Sequence, residues 1–312
     1  MVSAMKADGF DTLIEDLGEQ IAGPWRKPRQ MLQAQVYGGH ASIHDAATAQ
    51  SLGFRSGTIE GPTHFSQFVP LCAALWGNEW HRTGRISVHF REPAYEGDTL
   101  RAFVQKPEAG ATQTRIWMVN DRDATILEGD VSVGAQVLPS TLDRRFEGLK
   151  PLEERVILKD VHIGMRTARR PAVMRFDQVM GDLYPFTLQD KLAVITEPSA
   201  WHEVNTGSQS PWRRALVPLE MASVLMKYTD EAPPFPMPPG VISLIADQEI
   251  RYLDGPIFVG EDYELGQEII GFSGSRRTES MWIRTNLFRA ATDECVATML
   301  MNQATLKDGP AA

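Results

Sequence analysis

The sequence predicts an α+β protein made of two diverged copies of one unit, a long helix wrapped by an antiparallel sheet. Three observations predict it. A strand running into a Pro-to-Gly turn occurs twice, the strands downstream of each turn repeat in the same order, and one long apolar helix candidate precedes each block. Strands that come in runs, rather than alternating with helices, favour α+β over α/β. A duplication is sought before any local motif because it governs the whole architecture.

The first strand and turn read ISVHFREPAYEGDTLRAFV, residues 86–104, and the second DQEIRYLDGPIFVGEDYELGQEI, residues 247–269. Pro93 and Gly97-Asp98 match Pro256 and Gly260-Glu261 at the same internal spacing. Val88-His89-Phe90 matches Ile250-Arg251-Tyr252, with one extra residue before the second proline. TRIWMVN (114–120) and SMWIRTN (280–286) follow, then ATILEGDVSVGA (124–135) and ECVATMLMNQATL (294–306). Period-two alternation over such short runs marks half-buried antiparallel strands. Trp117 and Trp282 hold equivalent places and are read as sheet packing.

The helix candidates are GPTHFSQFVPLCAALWGNEW (61–80), with Pro62 suited to a first turn, and PLEMASVLMKYTD (218–230), also entered through a proline. Pro70 is expected to kink or end the first one early. Residues 137–175, of mixed charge, read as a solvated connector with a short helix or strand, and EAPPFPMPPG (231–240) as a rigid surface loop. The units are therefore placed at 1–150 and 151–312, together a double hot-dog.

Composition narrows the partners. Forty acidic against thirty-one basic side chains leave a formal charge of −9, which argues against a nucleic-acid or anionic-membrane surface. Cys72 and Cys295 lie in apolar runs and are expected to be buried free thiols, and the absence of CxxC or HExxH speaks against zinc. The first residues lack the apolar run of a signal peptide or membrane span. The expectation is a cytoplasmic monomer or homodimer that acts on a small molecule and needs no cofactor.

One stretch carries a family likeness: GGHASIHDAATAQSLGFRSGTIEGPTHFSQF, residues 38–68. Its Ala49, Leu52-Gly53-Phe54, Ile59 and Gly61 resemble the MaoC-like (R)-specific enoyl-CoA hydratase/dehydratase family. There, an Asp-x-Asn-Pro-x-His loop precedes a short helix with Ala and Gly-Phe, and an Ile-x-His-Gly entrance leads into the long helix. Setting the family histidine on His44 puts its aspartate on Gly39, its asparagine on Ala41 and its proline on Ser42. Counting back without gaps from Gly53-Phe54 puts the histidine on Ile43 and the following acid on Asp45. The entrance histidine is replaced by Glu60. The resemblance implies a hydratase or dehydratase acting on an acyl thioester, with CoA as a candidate carrier. In the second copy the matching stretch is 201–226, where the short helix and Gly-Phe are missing and Leu219 stands for Gly61. Chemistry is therefore expected in the first half, with loop 202–214 facing it.

His44 is the first candidate for acid–base work, since a histidine exchanges protons near neutral pH; the alternative is a hydrogen-bonded loop histidine. Asp45 is either its partner or an N-cap. Glu60 is either a general base or a dipole partner of the helix mouth, where the Gly61 N–H would polarise a carbonyl. His40 and His64 are secondary candidates. From the opposing loop, Asn205, Trp212 and Arg213 are candidate substrate contacts, Arg213 and Arg214 for a phosphate or acid and Trp212 as a wall. Arg166, Arg169 and Arg170 form a second basic cluster. Three readings remain open: a lyase, a thioesterase with Glu60 activating water, and a non-catalytic binding cleft. All share one fold, so fold does not choose among them.

Overall fold

Two runs of alternating apolar residues, each closed by a helix, have one economical solution: the strands pair side by side and both helices cover the same sheet. The computed structural model shows this arrangement. It describes residues 4–37, 40–135, 138–150, 152, 154–227 and 234–307, with the backbone alone at 4, 37, 40 and 41.

The first copy opens with the short strands β1 (Ala4–Met5), β2 (Ile14–Asp16) and β3 (Gln20–Ala22), then a separate hairpin, β4 (Val36–Tyr37) and β5 (His40–Ala41). Helix α1 (Ala46–Ser51) precedes a 3-10 segment, Gly61–Phe68, which runs into α2 (Val69–Trp76) and α3 (Asn78–Thr83). Strands β6 (Arg85–Phe90), β7 (Leu100–Gln105), β8 (Gln113–Asn120) and β9 (Thr125–Ser132) complete it. The connector holds α4 (Thr141–Glu147). The second copy supplies β10 (Arg170–Ala172), α5 (Leu188–Leu192), α6 (Leu219–Lys227), β11 (Ser243–Tyr252), β12 (Tyr263–Gly274), β13 (Thr278–Arg289) and β14 (Glu294–Leu306).

The sheet order is β1-β2-β3-β7-β8-β9-β6-β11-β14-β13-β12-β10. From the β6–β11 seam outward, β9, β8, β7 and β3 on one side answer β14, β13, β12 and β10 on the other. Ser87 faces Glu249 across the seam, at the centre of this internal two-fold. The duplicated Pro-to-Gly turns join equivalent strands, and Gly97 and Gly260 both take the left-handed backbone (φ 90° and 75°) that a tight turn needs. The architecture is a double hot-dog.

The core lies between sheet and helices. Ile86, Val88, Ile116 and Leu265 from the sheet meet Phe65, Phe68, Leu71 and the α6 side chains. Residues Leu219–Met226 are buried without exception, as befits a helix enclosed on all sides. Cys72 is a buried free thiol whose burial pushes its pKa up; Cys295 is free and only half-buried.

The helix candidate over 61–80, expected to kink or end early at Pro70, is three pieces. Pro70 has no N–H to give the Ser66 carbonyl and its ring would crowd that oxygen in an α-helix. The Val69 N–H takes its place with a tighter bond to Ser66 O, so the chain is 3-10 until α2 begins. Pro70 then sits in the first turn of α2, where a missing donor costs nothing. Gly77, at φ 56°, ends α2 by donating to Ala73 O at 2.7 Å.

The connector is docked rather than simply solvated. Helix α4 is capped by a Ser140–Asp143 box and lies over the seam, where Arg145 meets Asp247 at 2.7 Å. Buried Glu279 accepts the backbone N–H groups of Val156, Ile157 and Leu158 at 2.8–3.0 Å. Among the described residues, no helix is long and apolar enough to cross a membrane.

Candidate active site

The loop from Ser42 to Gly61 is folded by its own backbone. Asp45 starts α1 by accepting the Thr48 N–H at 2.8 Å, Gly53 turns the chain with φ 88°, and Thr58 N–H returns to Ile43 O at 3.0 Å. Gly57 permits the close return, since a Cβ there would sit 2.2 Å from the His44 carbonyl oxygen. The result sets His44 beside Thr58.

His44 Nδ1 lies 2.7 Å from Thr58 O. A carbonyl only accepts, so Nδ1 carries the proton and Nε2 keeps its lone pair. Burial pulls the His44 pKa below its usual 6.5, outweighing the opposite pull of Glu60; the Thr58 bond also raises it and Lys227 lowers it. The imidazole is thus neutral at neutral pH and ready to take a proton.

Glu60 occupies the N-cap position of the 3-10 segment and is 8% exposed. Tyr184 donates to its Oε1 at 2.7 Å. The next residue, Gly61, brings a free-ended amide to the helix mouth, where the first turn has no intrahelical acceptors. One turn on, His64 is buried and its Nδ1 has no hydrogen-bond partner among the described residues. Burial, helped by the charge of Lys191, lowers its pKa to about 3. Lys191 itself is paired with buried Glu220 at 3.1 Å.

His44, Glu60, Gly61 and His64 line one cavity of about 280 Å³. Its wall also includes Phe90 from the first copy, and Lys227 and residues 242–246 of β11 from the second. Four of the residues singled out in the sequence are therefore brought together, between the two copies.

Gly61 is sterically required. A Cβ there would lie 2.5 Å from the Phe90 ring, which packs over Phe65 and lines the cavity. Gly61→Ala is expected to cost about 1–3 kcal/mol through overpacking and to displace Phe90 into the cavity. Thermal melts should show the loss, and Gly61→Ala with Phe90→Leu should recover part of it.

The other candidates lie elsewhere or outside the described residues. Asp45 is a helix cap, its pKa lowered by hydrogen bonds from Thr48, and it is not on the cavity wall. His40 lies on β5 by its backbone, and its side chain falls outside the described residues. Asn205, Trp212 and Arg213 do not reach the cavity. Asn205 and Arg213 are exposed, while Trp212 packs edge-on against Trp201 and His81. Arg214 pairs with Glu261 at 3.1 Å and Arg166 with Glu268 at 3.0 Å; Arg169 also meets Glu264, and Arg170 donates to Gln267.

The reason is the duplication itself. Loop 202–216 repeats the His44 loop by its own helix instead of facing it. His202 Nδ1 lies 2.9 Å from Leu216 O, fourteen residues on, as His44 does from Thr58 O. Leu216 N–H returns to Trp201 O as Thr58 N–H returns to Ile43 O. The space that would be a second cavity is filled by Trp201, Trp212, Phe258 and His81. Counting from each histidine to its helix start extends the match of 201–226 to the histidines themselves, since His44 precedes Gly61 by the interval at which His202 precedes Leu219. Tyr184 and Lys227 carry no such signal, because neither belongs to a repeated motif.

No protein-family model matches the sequence, and no curated protein is significantly similar to it. Solved structures do share its fold. A double hot-dog protein from Mycobacterium tuberculosis superposes with a TM-score of 0.54 at 12% identity, covering 90% of this chain and 94% of its own. A protein from Chloroflexus aurantiacus J-10-fl, described as a MaoC domain dehydratase, superposes at 0.51 and 15% identity, covering 93% and 95%.

Proposed function

We propose that the chain reversibly hydrates an α,β-unsaturated carbonyl compound, with an acyl thioester as the first substrate class. The observation that carries this reading is one cavity shared by a neutral, fixed imidazole, a buried carboxylate and a helix-mouth amide. The shared fold with a protein described as a MaoC domain dehydratase is compatible with it.

In the hydration direction, His44 Nε2 takes a proton from water as the water oxygen bonds to the β-carbon. The double-bond electrons move toward the carbonyl, whose oxygen gains charge beside the Gly61 N–H. Glu60, held by Tyr184, accepts a hydrogen bond from the O–H that the water keeps and so orients its attack. His44 then returns its proton to the α-carbon, so water adds across the double bond and the imidazole is neutral again. The apolar part of the wall, with Phe90 and Ile242, suits a short acyl chain.

The test is incubation with crotonyl-CoA and a panel of enoyl- and acyl-thioesters, following enoyl absorbance and free thiol together. Loss of absorbance without thiol supports hydration. Thiol release replaces it with hydrolysis at the same cavity, and inactivity toward every thioester leaves a binding cleft.

A further inference from the structure

The cavity wall includes a lysine that hydration as drawn above does not use. Lys227 ends α6, in the second copy, yet lines the cavity whose reacting groups come from the first. Every α6 residue before it is buried, whereas Lys227 is partly accessible and lines the cavity. The other lysine buried near the cavity, Lys191, is paired with Glu220 at 3.1 Å. Lys227 has no such ion pair among the described residues; its neighbours are the Tyr184 ring, with its centroid 6.0 Å from Nζ, the Glu60 carboxylate and the His44 imidazole, whose pKa it lowers.

An ammonium in this place answers an electrostatic difficulty. Glu60 puts a negative charge at the mouth where the substrate's carbonyl oxygen must also become negative. One amide from Gly61 does not offset two like charges in a site shielded from water. A cation on the cavity wall does, and the C-terminal end of α6 favours its charged form, since the helix dipole is negative there. Burial lowers the Lys227 pKa while Glu60 raises it.

We propose that Lys227 is a further catalytic residue, its ammonium balancing the negative charge that develops on the substrate's carbonyl oxygen together with the Gly61 amide. No bond to lysine forms and its protons stay in place. This assignment rests on the hydration reading, and it makes the site a joint product of the two copies.

Lys227→Met and Lys227→Arg test it, the methionine keeping the apolar stem so that folding can be checked by circular dichroism and melting. With the thioester that the wild type turns over, Lys227→Met should lower kcat by about 10²–10³-fold with KM little changed, and Lys227→Arg should restore most of it. His44 is faced by Glu60, Lys227 and the Thr58 carbonyl, with His64, Arg91 and Glu92 also on the wall. Removing Lys227's charge should therefore move the acid limb of kcat/KM to higher pH, and Glu60→Gln should move it lower. Calorimetric titration with crotonate, a stable carboxylate, should show binding at least about tenfold weaker in Lys227→Met, as loss of a charge-assisted hydrogen bond would give. Wild-type kcat in folded Lys227→Met overturns the proposal, as does a rise in KM alone, which would make Lys227 a ground-state anion contact. If the wild type turns over no thioester, the hydration reading and this catalytic role fall together. The crotonate titration then separates the two failures, since binding insensitive to Lys227→Met removes the charge site as well.

Discussion

His44→Ala is expected to lower hydration kcat by about 10²–10⁴-fold, the range lost with a positioned acid–base group. The melting temperature should change little. Thr58 O, the imidazole's hydrogen-bond partner, also accepts from Gln30 Nε2, so removing the ring leaves that carbonyl satisfied. The loss should be in kcat more than KM, because the imidazole contributes to moving the proton rather than to holding the acyl chain. The matched control is His202→Ala. That histidine has the same Nδ1-to-carbonyl anchor, but its ring is buried against Phe10 near the Trp201 cluster and does not line the cavity that His44 lines. It should leave turnover intact and lower the melting temperature. Equal turnover in His44→Ala and wild type would remove the proposed mechanism. The pH profile gives an independent reading: kcat/KM should rise with pH through an apparent pKa below 6.5, the direction in which burial moves His44.

What the sequence made legible follows from what duplication conserves. Strand alternation and the turns at Gly97 and Gly260 are local, so the mirrored sheet order could be anticipated from residues 86–104 and 247–269. The His44–Glu60–Gly61 grouping was legible for the same reason, since all three lie on one loop and the helix it enters. Pro70 was seen as a break, but its effect spread backwards as a 3-10 turn because the strain falls on the carbonyl four residues earlier. Loop 202–214 was misplaced because a single copy's motif does not say which helix mouth a loop belongs to. Tyr184 and Lys227 reach the cavity through long-range packing, and no spacing rule in one sequence anticipates that.

The second large effect concerns acid stability. His64, His81 and His202 are all buried, and burial lowers their pKa values to about 3, about 3 and about 4. In the unfolded chain each titrates near 6.5. Above pH 6.5 both states hold the neutral form and the three contribute no pH dependence. As pH falls below 6.5, the unfolded state gains protons that the folded state refuses, so stability declines until the folded pKa values are reached. By pH 4 the loss is about 3 kcal/mol per histidine, and three together approach the total stability of an ordinary domain, roughly 5–15 kcal/mol. Glu220 and Glu249 act the other way: burial raises their pKa values, so the folded state takes protons first and recovers part of the loss. Melting temperature should therefore fall steadily from pH 6.5 toward 5, where simple carboxylate titration would leave it nearly level. Replacing His81, whose ring sits edge-on to Trp201 and Trp212, with phenylalanine should flatten that slope by about one proton's worth, about 1.4 kcal/mol per pH unit. A melting temperature constant down to pH 5 would show that these histidines take protons in place, and would force the plugged half to be more open than its tryptophans make it.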